Sequence, residues 1–223
     1  MDRLEDTTCM DGLRFFGKIS ASISHEMKNA LAVISESAGL VEDLLGAAER
    51  GMPLNEANLK KSMTRIRNHV KRADDIIKNM NAFAHSIDEP FSLIDVGKVI
   101  ELTAALTKRL LDMQCLTLET KIPTDPVMIE TAPFFLKNLA WLLLQFAMDH
   151  AGGSTTLCVE VERIGGQIEI RLSGMNGLEK TPSPEEFPTT AMQSLLNLLG
   201  AELESDAAGG RLVLKLLKRP GAG

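Results

Sequence analysis

The sequence predicts an α+β protein: an N-terminal antiparallel helical hairpin that pairs with a second copy as a four-helix bundle, followed by an α/β sandwich. Three observations predict it. Over the first 85 residues apolar side chains recur at helical spacing in two long runs, broken at Gly51 and Pro53. Beyond Pro90 the runs shorten, and Thr155 to Arg163 and Gln167 to Leu172 alternate at period two around Gly165-Gly166, the mark of a β-hairpin. Helical stretches flank these strands, which places helices on one face of a mixed sheet.

The first helix is predicted from about Gly12 to Leu45, with Ile19, Ile23, Ala30, Ile34, Val41 and Leu45 as its stripe. Gly51 and Pro53 stop it, and Asn55 reads as the N-cap of a second helix from about Glu56 to His85. Leu59, Met63, Ile66, Val70, Ile77, Met80 and Ala84 give the second stripe; Lys60, Lys61, Arg65, Arg67, Lys71 and Arg72 give a basic face. Two helices of about 30 residues, each roughly 45 Å long, cannot enclose these stripes alone, so a two-fold dimer is the simple solution. After the break at Ser86 to Leu93, the pattern gives a helix over Val96 to Met113 and a strand over Leu116 to Ile122. An apolar helix over Pro133 to His150, the β-hairpin, a helix over Ala191 to Leu199 and a strand over Arg211 to Lys218 complete it. The domains are 10–88 and 92–219.

Composition excludes several functions. The net charge of -6 argues against nucleic-acid binding, which needs a basic surface to displace counterions. Scarce aromatics, 4% of the residues with one Trp and no Tyr, argue against a base-stacking platform. Cys9, Cys115 and Cys158 stand far apart, without metal-ligand spacing, as expected of a reducing compartment. The acidic N-terminus is not a secretory signal, and Leu139 to Met148 is too short to span a bilayer. A cytoplasmic protein without a membrane anchor is expected.

The chemistry concentrates in His25-Glu26-Met27-Lys28-Asn29. A histidine phosphorylated on nitrogen must face solvent. A neighbouring carboxylate can act as a base on the imidazole and hold its tautomer. An amide one turn away can position a water. A zinc site of the HExxH kind needs a second histidine four residues on, where this chain has Asn29.

With its flanks, SISHEMKNALAVI resembles the H-box of two-component sensor histidine kinases, and residues 15–86 resemble that family's dimerisation and phosphotransfer domain. The resemblance implies that His25 is the phosphoacceptor, that Glu26 assists transfer, and that Asn29 serves dephosphorylation of a partner. The second half is similar in layout to the family's ATP-binding domain, so the sandwich is expected to be of the histidine-kinase ATPase type. Its nucleotide residues are missing. Phe146 stands where the family's magnesium-binding Asn belongs, and an apolar ring cannot coordinate a hard cation. Asn138 sits two turns too early to replace it. Ser173-Gly174-Met175-Asn176-Gly177 replaces DxGxG, and Phe187-Pro188-Thr189-Thr190-Ala191 replaces a glycine-rich phosphate loop after a shortened lid.

The resulting expectation is a homodimeric phosphotransfer protein with no cofactor of its own. It would exchange phosphoryl groups with the aspartates of response-regulator receiver domains, which bring their own magnesium. An active ATP-dependent soluble kinase and a non-catalytic pseudokinase scaffold are the alternatives.

Overall fold

The structure, a computed structural model, describes residues 2–178 and 187–217. The chain divides into two compact units: residues 18–82, and residues 1–17 together with 83–223. Cys9, the expected lid segment 179–186 and the ends of the expected last strand and second domain, at Lys218 and Arg219, lie outside the described side chains or residues.

The first unit is a helical hairpin cut from α1 (Asp2–Glu49) and α2 (Glu56–Ala84). Helix α1 stops where Gly51 takes a left-handed conformation (φ 88°) and the Met52 amide closes on the Ala47 carbonyl at 3.1 Å. Asn55 then caps α2, its Oδ1 accepting from the Asn58 amide at 3.0 Å. The helices run antiparallel: Glu36 faces Arg65 and Glu26 faces Arg72.

The expected apolar stripes split in two. Ile19, Ile23, Ala30 and Ser37 from α1 and Ser62 and Ile76 from α2 are buried between the helices. Met63, Val70, Ile77 and Met80 on α2, with Leu31, Leu40 and Leu45 on α1, stay exposed, although the sequence reading placed most of them in the stripes. A single hairpin covers only one side of such wide apolar faces.

In the second unit α3 (Val96–Met113), α4 (Pro133–Asp149) and α5 (Thr190–Leu199) cover one face of a five-stranded sheet. Its order is β2 (Thr117–Lys121), β4 (Thr156–Ile164), β5 (Gln167–Ser173), β7 (Arg211–Leu216) and β6 (Ala201–Asp206), parallel at β2–β4 and antiparallel elsewhere. Period-two alternation decides the buried face: Leu157, Val159 and Val161, then Ile168, Ile170 and Leu172, then Leu212, Leu214 and Leu216. Gly165 and Gly166 both take positive φ, 57° and 86°, as a two-residue hairpin turn requires. A short antiparallel ladder joins β1 (Ser92–Asp95) to β3 (Met128–Thr131).

Helix α1 begins earlier than the sequence predicts, and its first turns belong to this second unit. There Phe15 meets Phe83 edge to face, with ring centroids 5.3 Å apart, and lies 5.2 Å from Trp141 and 5.6 Å from Phe134. This aromatic cluster is why residues 10–17 and 83–88 join the sheet unit. Strands β1, β3 and β6 were not expected. Among the described residues no helix is long and apolar enough to cross a membrane.

Candidate functional site

His25 and Asn29 stand four residues apart on α1 and are both exposed, so they share one open surface of the hairpin. Glu26 is different. Its side chain is only 14% exposed and leans into the groove between the helices, where Arg72 of α2 approaches its carboxylate at 3.7 Å. The structure leaves Asn29 outside with His25 and turns Glu26 toward α2.

Arg72 is the residue that sequence reasoning missed. It was read as one cation among six on a basic face. The signal was the antiparallel register, which sets this part of α2 opposite the His25 turn. One turn back along α2, His69 is half-buried and its Nδ1 is buried without a hydrogen-bond partner. His85, by contrast, is exposed and bonded through Nδ1 to Asp88 at 2.7 Å. The Nδ1–H of His150 donates to the Phe146 carbonyl at 2.8 Å.

In the second unit Phe146 lies among aromatic rings. Phe146 stacks on Phe187 at 4.2 Å and on His150 at 4.0 Å, so three rings form one ladder. The turn after β5 is tied to its neighbours by its own amides. Met175 N–H donates to Gly210, Asn176 N–H to Ala151, Gly177 N–H to His150 and Leu178 N–H to Met175. A Cβ at Gly174 (φ 95°) would strike the Thr156 carbonyl, so the turn is pressed against β4. Met175 is fully buried. The Thr189 hydroxyl accepts from the Met192 amide at 3.3 Å and caps α5. Asn138 is buried, inside the fold rather than at a cleft.

The amides of residues 175–178 are thus engaged within the fold. Among the described residues no group of three or more His, Cys, Asp or Glu side chains is arranged to hold a metal ion.

The sequence matches no protein-family model and no curated protein. Solved structures do resemble the chain in shape. The Acinetobacter baumannii histidine kinase AdeS aligns with 82% of this chain and 96% of its own at 12% identity and a TM-score of 0.48. The ATP-binding domain of PrrB from Mycobacterium tuberculosis aligns with 59% of this chain and 100% of its own at 23% identity and a TM-score of 0.45. The cytoplasmic segment of the histidine kinase QseC aligns with 67% of this chain and 95% of its own at 16% identity and a TM-score of 0.44.

Proposed function

We propose that the chain is a two-component phosphotransfer protein in which His25 accepts a phosphoryl group from a response-regulator aspartate and passes it to another. One observation carries the reading: an exposed histidine on a helical hairpin, with a carboxylate anchored in the groove beside it and an amide one turn away. An unprotonated ring nitrogen of His25 attacks phosphorus. The N–P bond forms as the aspartyl O–P bond breaks, and the aspartate leaves as a carboxylate. The proton on the other ring nitrogen stays, and Glu26 offsets the positive charge the ring acquires. Magnesium held by the receiver supplies charge stabilisation at the transferring group. Asn29, exposed beside His25, orients a water in the variant reaction that dephosphorylates a regulator.

The exposed apolar residues of the hairpin support a homodimer. Met63, Val70 and Ile77 recur every seven residues along α2, the spacing of a helix-bundle seam. A second copy covers them in a four-helix bundle.

The residues of the second unit do not fit Mg-ATP. The ring ladder of Phe187, Phe146 and His150 and the spent amides of 175–178 support a scaffold role for this unit. The phosphoryl group then comes from a partner. The test is transfer from a panel of phosphorylated receiver domains, with the product identified as acid-labile phosphohistidine. Label on wild type and none on His25→Ala is expected. Transfer from none of the panel points to a non-catalytic scaffold.

A further inference from the structure

We propose that Arg72 is a positioning residue for the His25 reaction, acting by holding Glu26 in place; this rests on the phosphotransfer reading. Three features single Arg72 out from the other cations of α2. First, its partner adjoins His25 in sequence, and their 3.7 Å contact crosses from one helix to the other, so the packing of the hairpin sets where the carboxylate lies. Second, the contact is partly desolvated. The Glu26 side chain is 14% exposed, whereas Glu36, which pairs with Arg65 at 3.9 Å, is 70% exposed. Both arginines are 53% exposed, so the difference lies in the carboxylate, and a sheltered carboxylate is less screened from its partner than an exposed one.

Third, Arg72 lies on the open side of the hairpin. Lys61, Arg65, Asn68 and Arg72 follow one another at steps of four, three and four, so they form one stripe along α2. The contacts of Arg65 to Glu36 and Arg72 to Glu26 place that stripe alongside α1. On α1, Glu36 follows Asn29 at a spacing of seven and so shares its face, which is also that of His25.

The physical need is plain. A carboxylate on a helix surface samples several rotamers, and only some bring it to the neighbouring imidazole. A guanidinium fixed on the facing helix narrows that set before the partner docks, so less ordering remains for the transition state. The contact is a single approach at 3.7 Å rather than a bidentate pair, so a lysine, which keeps the charge, can stand in for it. Arg72 therefore acts on the rate of transfer and not on the affinity of the partner.

The experiment is single-turnover transfer to His25 from the phosphorylated receiver that charges the wild-type protein best, with the receiver concentration varied. Wild type, Arg72→Ala, Arg72→Lys, Glu26→Gln and the double variant Arg72→Ala/Glu26→Gln are compared, with helical content checked by circular dichroism. The expected result is a loss of about ten-fold or more in the saturating rate for Arg72→Ala, with half-saturation unchanged. Arg72→Lys should recover most of the rate, and the double variant should be no slower than Glu26→Gln. Wild-type rate in Arg72→Ala, effects that multiply in the double variant, or a change confined to half-saturation would each overturn the proposal. No transfer to the wild type from any receiver would overturn the phosphotransfer reading itself, and this proposal with it.

Discussion

The hairpin and the sheet unit bury their side chains by opposite rules. The sheet unit closes on itself: three helices seal one face of the sheet, aromatic rings fill its gaps, and turn amides find partners inside. The hairpin is left open. Part of its apolar side chains face outward on both helices, Ser22, Ser37 and His69 each have a buried polar atom without a partner, and His25 and Asn29 are at the surface. A closely packed unit is suited to be scaffold. One that leaves apolar seams and exposed chemistry gains most by binding others.

Variants can break or sharpen that contrast. The largest effect is expected at the hairpin seam. Ile77→Asp places a charge where a second copy would bury it, and the dimer should be lost; sedimentation velocity at micromolar concentration reads this as a halved mass. If Ile77→Asp sediments as wild type does, the open face has some other use.

Next comes the closed core of the sheet unit. Leu143 is 1% exposed, and Leu143→Ala should cost about 2–5 kcal/mol of stability in urea unfolding. Leu45→Ala on the open hairpin should cost under about 1 kcal/mol in the monomeric background of Ile77→Asp.

A smaller effect, of opposite sign, is expected at Lys137. It is the odd member of α4, 6% exposed, with no hydrogen bond or ion pair among the described residues. Burial pushes its amine down from 10.5 to about 8. The unfolded chain therefore holds more proton between those two values, and wild-type stability rises with pH across that window. Lys137→Met should stabilise by about 1–3 kcal/mol at pH 7, and the gain should fade as pH climbs toward 10.5. A gain that does not change with pH would assign it to packing instead.

The smallest effect is expected at Asn29. Asn29→Ala should leave His25 labelling within about two-fold and slow hydrolysis of the receiver's phosphate by about ten-fold or more. Loss of both would make Asn29 part of the docking surface.

What could be read from the sequence followed the physics of each signal. Helices α2 to α5 and the β4–β5 hairpin were legible because caps, glycine pairs and periodicity are local: Asn55, Gly165-Gly166 and the run from Pro133 are read within a few residues. Strands β1, β3 and β6 were not. They are short, and β1 and β3 make a two-stranded ladder whose partners lie far apart in sequence. Which apolar side chains face inward was also out of reach: Ile76 and Ile77 are adjacent and equally apolar, and only the neighbouring helix decides that Ile76 is the buried one. For the same reason His25, Glu26 and Asn29 were legible as a motif, whereas Arg72 became visible only through the register of α1 against α2.

The most direct measurement is one gel with two phosphoryl sources: radiolabelled Mg-ATP, and a receiver domain carrying labelled phosphate, each offered to wild type and His25→Ala. The account predicts acid-labile label on wild type from the receiver, none from Mg-ATP, and none on the variant from either source. Label at His25 from Mg-ATP alone would contradict it, and would mean that the ring ladder of Phe187, Phe146 and His150 opens to admit a nucleotide.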